Sequence, residues 1–388
     1  MEQALDFNLP EELQLLQKTA REFAQTELTK PSREMDEREE FNVDVFKKLA
    51  SLGLAGLTLP EQFGGAGFYE NKMANQAACV VLEEINRVCA STGVTLSVHM
   101  SLFSSALNKW GSDELKGRIL PKLATGEWIG AYCLSEAGSG SDAGSLVCAA
   151  KREGNEYVLN GSKLWITSAP YADVFLVMAR TSTEHKTRGI SAFIVEKSRK
   201  GVSIGKHEKK MGIRGSSTCE VLFDNCRIPA NNLIGEEGKG FGIALDTLDG
   251  GRIGIAAQAV GIGRACLEEA IAYAKQREQF GKKISEFQAV QWMICDMAAR
   301  IDAARLLMYR AATLRDAGQP CAKEAAMAKL YASEAANKAA KDAVQIFGGN
   351  GYSKEYNVER YFRDAKITEI YEGTSQIQRI VVSRALLG

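Results

Sequence analysis

The chain has 388 residues, 45% of them hydrophobic and 25% charged, and its 48 basic and 48 acidic residues give a formal net charge of zero. This composition is typical of a soluble globular protein, and the neutral balance gives no indication of a nucleic-acid or anionic-membrane partner. The length exceeds what one compact core usually holds, so we expect two or three domains.

The N-terminal stretch MEQALDFNLPEELQ is polar and acidic. It has neither the basic and apolar regions of a signal peptide nor the arginine-rich pattern of a transit peptide. No apolar run approaches membrane-spanning length, so no membrane insertion is expected. These features predict a soluble, unexported protein, cytoplasmic in a bacterium or, for a processed eukaryotic chain, in the mitochondrial matrix.

The nine cysteines are scattered and contain no C-x-x-C pair, which predicts free thiols in a reducing compartment. The three histidines, His99, His185 and His207, lie far apart, and no H-E-x-x-H motif occurs. We therefore predict no metal site.

The chain from Pro10 to about Leu120 has a helical pattern. PEELQLLQKTAREFAQTEL places four apolar residues on one helix face, Leu13, Leu16, Ala20 and Phe23. This helix is predicted to end at Pro31. DVFKKLASLG predicts a shorter helix ending at Gly53, EQFGGAGF a glycine-rich loop, and ANQAACVVLEEINRV a further helix.

Between about Pro121 and Pro229 the pattern changes to short strands. The runs ADVFLVMAR, GISAFIVEK and CEVLFDNCRI are rich in β-branched and aromatic residues and are separated by polar turns. In EYVLNGSKLWITSA, the dipeptide Asn160–Gly161 between two strand-like runs predicts a hairpin turn. This region is predicted to form an antiparallel β domain.

Helical patterns return after Gly240. RIGIAAQAVGIGRACLEEAIAYA is small and apolar nearly all round, so we expect it to be buried. PCAKEAAMAKLYASEAANKAAKDAVQIFGG predicts another helix, ended by Gly348 and Gly349. Between them, EFQAVQWMICDMAARIDAARLLMYRAATLRDAG has a heptad-like seam suited to a helix bundle. The seam residues are Phe287, Val290, Ile294, Met297, Ile301, Ala304 and Met308.

The sequence does not support three common motifs for nucleotide binding or esterase activity. Gly138, Gly140 and Ala143 match G-x-G-x-x-A, but GSLVCAAKREGNEYVLNG follows and predicts a strand and hairpin where a Rossmann site needs a helix. GEEGKGFG lacks the spacing of a phosphate-binding Walker loop. No G-x-S-x-G esterase elbow occurs.

The stretch TEIYEGTSQIQRI sets one carboxylate, Glu372, directly before a glycine, Gly373. The turn chemistry alone favours a helix stop, with Thr374 or Ser375 capping the next helix. The other interpretation is a catalytic carboxylate on a loop that approaches a ligand.

Four stretches together resemble the acyl-CoA dehydrogenases: YCLSEAGSGSDAG, LWIT, REQFGKKISEFQ and QIFGGNGYSKEYNVERYFRDAKITEIYEGTSQIQ. The resemblance covers almost the whole chain, and LDFNLPEE with LDGGRIGIAAQAVGIG is most similar to the short-chain, butyryl-CoA type. One departure is Ala137, where the family usually has proline; this alters a turn and should not remove a ligand.

The resemblance implies a mainly α fold with a central β domain. It divides the chain into an N-terminal helical domain (1–120), a middle antiparallel β-barrel-like domain (121–232) and a C-terminal four-helix bundle (233–388). It also implies FAD as cofactor and a homotetramer built as a dimer of dimers. The expected activity is α,β-oxidation of an acyl-CoA to the trans-2-enoyl-CoA, with electrons passed to electron-transfer flavoprotein.

The resemblance also assigns roles to residues. Glu372 would be the base that removes the α-proton, and the β-hydrogen would leave as hydride to flavin N5. The expected flavin-binding residues are Tyr132, Leu134, Ser135, Gly140, Ser141, Trp165, Thr167, Arg277, Gln279, Phe280, Gln288, Gln345, Gly348, Gly349, Thr374 and Gln376. The expected substrate-side residues are Ser141, Leu248, Asp249, Arg252 and Gly373. For Trp165 the alternative is a core tryptophan, and for Arg252 a helix-start salt bridge.

Several alternatives stay open or are disfavoured by particular residues. Some relatives carry the base immediately before the position of Arg252, but here that residue is Gly251. TGVTLSVHMSL has no arginine to hold a second carboxylate, which disfavours a glutaryl-type enzyme. The neutral charge disfavours a nucleic-acid-binding relative. A same-fold oxidase and a branched or cyclic acyl-CoA substrate remain as alternatives.

Overall fold

The computed structural model describes residues 8–388, so the MEQALDF part of the N-terminal stretch lies outside the described residues. The helices are α1 Glu11–Phe23, α2 Thr29–Arg38, α3 Val43–Ser51, α4 Ala74–Val88, α5 Ala90–Ser97, α6 Ser105–Trp110, α7 Asp113–Ala124, α8 Gly240–Gln276, α9 Gln288–Asp316, α10 Ala322–Phe347, α11 Val358–Lys366 and α12 Ser375–Leu387. The strands are β1 Gly130–Cys133, β2 Ala149–Glu153, β3 Glu156–Thr167, β4 Val174–Arg180, β5 Ile190–Glu196, β6 Val202–His207, β7 Thr218–Pro229, β8 Leu233–Ile234, β9 Glu278–Gln279 and β10 Lys282–Lys283. The predicted order, helical, then β, then helical, is confirmed.

The first helical run does not end at Pro31, as the sequence had predicted. A π-helical turn, Ala24–Leu28, follows α1, and α2 continues to Arg38. Pro31 lies just after the π-helical turn, where the regular hydrogen bonding is already interrupted, so its missing N–H is tolerated. The run ends at Glu39, which has a left-handed φ of 57°.

An eight-stranded sheet forms the middle of the chain, in the order β6-β7-β3-β2-β4-β5-β8, with β1 paired to β4. Most neighbours are antiparallel, but β1 and β2 pair with β4 in parallel. The prediction of a purely antiparallel domain missed these pairs. They are parallel because a crossover, rather than a tight hairpin, connects each strand to β4.

The hairpin predicted at Asn160–Gly161 is wrong. β3 runs through both residues, and the turn lies one strand earlier, at Gly154 between β2 and β3. Gly161 instead sits in a β-bulge of β3, where an added Cβ would lie 2.8 Å from the Cα of Cys148. The glycine is therefore there for close packing between strands rather than for a turn.

In the C-terminal domain α8, α9 and α10 pack against one another, and α11 and α12 both pack against α10. α8 is buried along most of its length, as its small apolar residues had predicted. The seam on α9 is buried from Met297 to Met308, whereas Val290 and Ile294 are half-buried. Helix α4 packs against α8 and thereby joins the N-terminal helices to the bundle. The predicted boundaries at 120/121 and 232/233 stay predictions, and α7 extends across the first of them to Ala124.

Candidate active site

The YEGTS stretch is a tight turn leading into α12. Thr374 caps this helix, because its Oγ1 accepts a hydrogen bond from Ile377 N at 3.3 Å. Glu372 and Gly373, just before the cap, have left-handed φ values of 52° and 94°. A non-glycine residue held in this region costs on the order of 1 kcal/mol, and such strain concentrates at functional sites. The helix cap and an unusual glutamate therefore coexist in this turn.

The Glu372 carboxylate is poorly solvated. The residue is half-buried, but its Oε2 is buried and has no hydrogen-bond partner among the described residues. Burial raises the pKa of this carboxyl to about 7, although the positive charges of Lys329 and Arg252 act in the opposite direction. An unbonded carboxylate with a pKa near neutrality is suited to accept a proton at physiological pH.

Helix α8 forms one wall of the pocket around Glu372. A Cβ added at Gly251 would collide with Glu372 Oε2 and would lie 2.6 Å from Leu102 Cδ2. The carboxylate thus occupies the space that a side chain at position 251 would need. A glycine at this position is a condition for the placement of Glu372.

The predicted substrate-side residues lie next to this wall. Arg252 is only 5% exposed, its Nη1 contacts Asp249 Oδ1 at 2.7 Å, and its Nε has no partner in the described chain. Burial raises the pKa of Asp249, although the Arg252 charge opposes the shift. Leu248 is half-buried beside them. The salt bridge considered for Arg252 is therefore present, and the same guanidinium also acts on Glu372.

The predicted flavin loop and the LWIT stretch lie together. Leu164 N donates a hydrogen bond to Ser135 O at 2.9 Å, which fastens the loop to β3. Beneath the loop, the buried Lys163 Nζ contacts Glu136 Oε1 at 2.7 Å and donates to Leu134 O at 3.1 Å. Gly140 and Ser141 lie on the exposed part of the loop. The loop is thus held from below and presents its outer part to solvent or to a ligand.

Trp165 is not a core tryptophan. It sits at a second bulge of β3, has a left-handed φ of 63°, and its side chain is 61% exposed. Its neighbour Thr167 is half-buried and pairs with Thr218 of β7. An exposed indole beside a glycine- and serine-rich loop provides a flat apolar surface for a ring system.

Tyr132 connects the predicted flavin loop with the predicted catalytic turn, Glu372–Gly373. Its side chain is buried and its hydroxyl has no partner among the described residues. Burial, together with the charge of Glu372, raises the pKa of Tyr132. The two predicted groups, one on β1 and one before α12, are therefore neighbours in the fold. The remaining predicted residues of the turn, Thr374 and Gln376, are half-buried and exposed, respectively.

The residues predicted to bind the adenine and pyrophosphate end of FAD lie away from Glu372. They are exposed on the single chain: Arg277, Gln279, Phe280, Gln288, Gln345, Gly348 and Gly349. Arg277 follows the last residue of α8, 26 residues after Gly251, which corresponds to roughly 40 Å along the helix axis. Tyr273 of α8 stacks on Phe347 of α10, with ring centroids 4.0 Å apart, so the ends of these two helices meet. One chain alone does not bring this set to Glu372.

Sequence reasoning missed three groups around the predicted catalytic turn. Lys329 Nζ donates a hydrogen bond to Gly373 O at 2.8 Å, and Gln378 Nε2 donates to the same oxygen at 2.8 Å. The Tyr371 hydroxyl contacts Gln258 Oε1. A signal for Lys329 was present, because it interrupts an alanine-rich helix face that is otherwise suited to burial.

The comparisons with known proteins show the family to which this fold and this site belong. Three family models match the chain. The model described as "Acyl-CoA dehydrogenase, N-terminal domain" matches residues 10–127, the middle-domain model matches 131–226, and the C-terminal-domain model matches 238–387. The short-chain specific acyl-CoA dehydrogenase of Clostridium acetobutylicum is 48% identical over 379 residues, covering 98% of this chain and 99% of that protein.

Two solved structures have the same fold. Butyryl-CoA dehydrogenase from Megasphaera elsdenii is 42% identical with a TM-score of 0.97, over 99% of this chain and 100% of that chain. A chain from a structure described as the electron transferring flavoprotein of Acidaminococcus fermentans is 45% identical with a TM-score of 0.96. The match again covers 99% of this chain and 100% of that chain. The chain belongs to the acyl-CoA dehydrogenase family. It is an oxidoreductase, and its cofactor is FAD.

The residues of this chain fit FAD. Trp165 offers an exposed ring, and the loop around Ser135 offers main-chain and hydroxyl groups. The Tyr132 hydroxyl has no partner within the part of the chain that the structure describes. A Cβ added at Gly348 or Gly349 would meet no atom within 4 Å, so there is open space beside these backbones. Such groups suit an oxygen-rich nucleotide.

Two further observations concern residues 8–388. No helix in this range is both long and apolar enough to cross a membrane. No cluster of three or more His, Cys, Asp or Glu side chains in this range is arranged to hold a metal ion.

Proposed function

We propose that the protein catalyses α,β-dehydrogenation of a short-chain acyl-CoA thioester to the trans-2-enoyl-CoA, with Glu372 as the base that removes the α-proton. The observation that carries this proposal is the buried Oε2 of Glu372, which has no hydrogen-bond partner in the described part of the chain. Burial raises the pKa of this carboxyl to about 7. A carboxylate at its usual pKa of about 4 would be a much weaker base. Bound FAD supplies the hydride acceptor for the β-hydrogen.

The chain's own residues have distinct tasks in this proposal. Gly373 and the strained backbone of Glu372 let the main chain approach the thioester, so that the Glu372 N–H donates to the substrate carbonyl as the α-proton leaves. Gly251 leaves room for the carboxylate, and Arg252 with Asp249 lies on the substrate side of α8. Closing the pocket with an acyl chain excludes water and strengthens the base further.

The proposed preference for short straight chains, butyryl-CoA among them, is supported by the similarity to short-chain specific and butyryl-CoA enzymes. Leu102, which packs beside Gly251, narrows the space next to the carboxylate. The test is anaerobic bleaching of the protein-bound flavin with a panel of acyl-CoAs. Butyryl-CoA should reduce it faster than long-chain, branched or cyclic substrates; a faster long-chain or cyclic substrate would contradict the proposed specificity.

We also propose electron-transfer flavoprotein as the electron acceptor. The support is the similarity to a chain from the Acidaminococcus fermentans structure named for that protein. The experiment compares turnover with electron-transfer flavoprotein against peroxide production in air. Peroxide formed at the full dye-coupled rate would instead place the protein among the oxidases of this fold.

Three further predictions remain proposals: a homotetramer built as a dimer of dimers, domain boundaries at 120/121 and 232/233, and a cytoplasmic or mitochondrial-matrix location. The tetramer is supported by the position of the predicted nucleotide-binding residues. They are exposed on one chain and lie far from its own Glu372, as expected if some of them reach the FAD of a neighbouring subunit.

A further inference from the structure

Lys329 is a buried lysine that the proposed reaction leaves without a role. It lies on α10 on a face otherwise made of alanines, including Ala325, Ala328 and Ala332, and the residue has no exposed surface. A buried ammonium group is costly unless other groups compensate for its lost hydration. Its hydrogen-bond partner is the Gly373 carbonyl, at 2.8 Å, rather than a carboxylate. The lysine is therefore directed at the catalytic turn.

The charged groups around Lys329 come from two sides. Burial lowers the pKa of Lys329 to about 8, the carboxylates of Glu372 and Glu369 oppose the shift, and the Arg252 guanidinium of α8 adds to it. Glu372 in turn faces Lys329 and Arg252, whose charges lower its pKa, and the uncharged Tyr132 and Tyr371 hydroxyls. Lys329 and Glu372 thus interact electrostatically inside the same pocket.

Neutral groups already anchor the turn. Gln378 Nε2 donates to Gly373 O at 2.8 Å and to Glu372 O at 3.2 Å. One helical turn after Lys329, the Ser333 hydroxyl lies within hydrogen-bond distance of Thr368 O, at 2.8 Å, and of Lys329 O, at 2.6 Å. A further anchor would not require an ammonium group with its desolvation cost. The property that Lys329 alone adds among these donors is positive charge.

We propose that Lys329 is a positioning residue of the active site, which holds the Glu372–Gly373 turn through the Gly373 carbonyl and favours the ionised form of Glu372 at neutral pH by its positive charge. This inference rests on the proposed role of Glu372 as the base. Loss of the charge should leave Glu372 protonated to a higher pH. An opposite charge nearby typically displaces a carboxyl titration by about one unit or more, which corresponds to about tenfold in the ionised fraction below the midpoint.

The test uses the FAD-containing enzyme and its variant Lys329→Met, with Ser333→Ala as the matched control. Ser333→Ala removes a neutral hydrogen bond to the same segment and leaves the charge of the pocket unchanged. Two readouts are followed against pH: the rate of anaerobic flavin reduction by butyryl-CoA, and the infrared band of the protonated Glu372 carboxyl, identified by its loss in Glu372→Gln. FAD content and melting temperature report on folding.

The expected result is that both midpoints move to higher pH by about one unit in Lys329→Met and stay unchanged in Ser333→Ala. Unchanged midpoints in a folded, FAD-loaded Lys329→Met variant would overturn the inference. If Lys329→Met does not fold, two other variants replace it. Lys329→Arg keeps the charge and should keep the wild-type midpoints, whereas Lys329→Gln removes the charge and should move them. A Lys329→Gln variant with wild-type midpoints would also overturn the inference.

Failure of the proposed function has a different signature. If Glu372→Gln reduces its flavin at the wild-type rate, Glu372 is not the base. The infrared titration of Glu372 in Lys329→Met still reports on the electrostatic coupling in that case.

Discussion

Glu372 combines a strained backbone with a carboxylate oxygen that no group in residues 8–388 satisfies. Neither feature favours folding, since left-handed φ at a glutamate and an unbonded buried oxygen both cost free energy. The surroundings nevertheless hold the residue in this state through Lys329, Gln378 and the cap of α12. A site that retains such a residue is expected to use it.

At position 251 we predict that Gly251→Ala strongly impairs turnover. The added methyl group would collide with Glu372 Oε2 and with Leu102, so the carboxylate must move away from its present position. Misplacement of a catalytic group by about 1 Å can cost on the order of 100-fold in rate. The measurement is kcat with butyryl-CoA, together with FAD content.

Gly242→Ala is the control for this substitution. Gly242 is on the same helix, and an added Cβ there would meet no atom within 4 Å. Alanine in place of glycine in a helix favours folding by about 0.5–1 kcal/mol, so this variant should keep activity and gain stability. Equal activity of Gly251→Ala and Gly242→Ala would contradict the prediction, because it would mean that the pocket accommodates a methyl group at position 251.

The pH dependence of flavin reduction follows from Glu372. The base acts when ionised, and burial raises its pKa to about 7, so the rate should be low in acid and rise with pH through a midpoint near 7. The measurement is the second-order rate of anaerobic flavin reduction at limiting acyl-CoA across this range, because this rate reports the pKa of the free enzyme. A rate that stays constant down to the usual pKa of a glutamate, about 4, would contradict the burial of the carboxylate.

Among the elements, β3 has a special position because it carries two bulges. One bulge, at Gly161, brings the strand close to Cys148, and the other presents Trp165 to the outside next to the Ser135 loop. Bulges re-aim side chains beside active sites, and here the second bulge turns an indole out of the sheet. The geometry of the predicted flavin site thus depends on irregularities of one strand.

We predict that Gly161→Ala destabilises the protein. A Cβ at this residue would lie 2.8 Å from the Cα of Cys148 and 2.9 Å from its Cβ, and backbone neighbours cannot give way as a flexible side chain can. Such overpacking typically costs about 1–3 kcal/mol. The measurement is the change in melting temperature or in the free energy of unfolding. As a control, Gly117→Ala on α7 has open space and should not destabilise the fold; equal stability of both variants would be evidence against the close approach.

The element types were largely predictable, but their irregularities were not. Periodicity located α4, α8, α9 and α10, because long segments with a buried face have a clear apolar pattern. Asn160–Gly161 was misread, because the dipeptide has the same local chemistry in a turn and in a bulge, and only the contact with Cys148 distinguishes the two. Pro31 was misread because the π-helical turn before it leaves no strong sequence signal.

The site was predictable only in part for a related reason. Residues in long motifs, such as Glu372 and Trp165, were proposed for the site through resemblance to a family. Lys329 and Gln378 both donate to the Gly373 carbonyl. In sequence Lys329 is 44 residues away from Gly373, and Gln378 is 5 residues away. Hydrogen bonds of this kind depend on tertiary packing, which residue spacing does not encode.

For the whole molecule, the distribution of exposed residues favours assembly. Phe280 is 94% exposed and Trp292 is 66% exposed, both close to the predicted nucleotide-binding residues Arg277 and Gln288 in sequence. Large apolar side chains left on a surface commonly mark an interface. The homotetramer proposed above would cover this surface, and its mass would be about four times the 42.2 kDa of one chain. Light scattering combined with FAD absorbance tests this, and a monomer that retains FAD and activity would contradict it.

The central claim, that Glu372 is the base, is tested most directly by anaerobic flavin reduction in Glu372→Gln. The substitution keeps the size of the side chain and the backbone N–H but removes the proton acceptor. A positioned general base is typically worth 10²–10⁴-fold, or about 3–5 kcal/mol of barrier, and Gly251 offers no replacement carboxylate. We predict intact FAD content, near-normal affinity for the enoyl-CoA product, and flavin reduction by butyryl-CoA slowed by about 10⁴-fold or more. Reduction within a few-fold of the wild-type rate would contradict the account and leave the YEGTS stretch as a helix cap only.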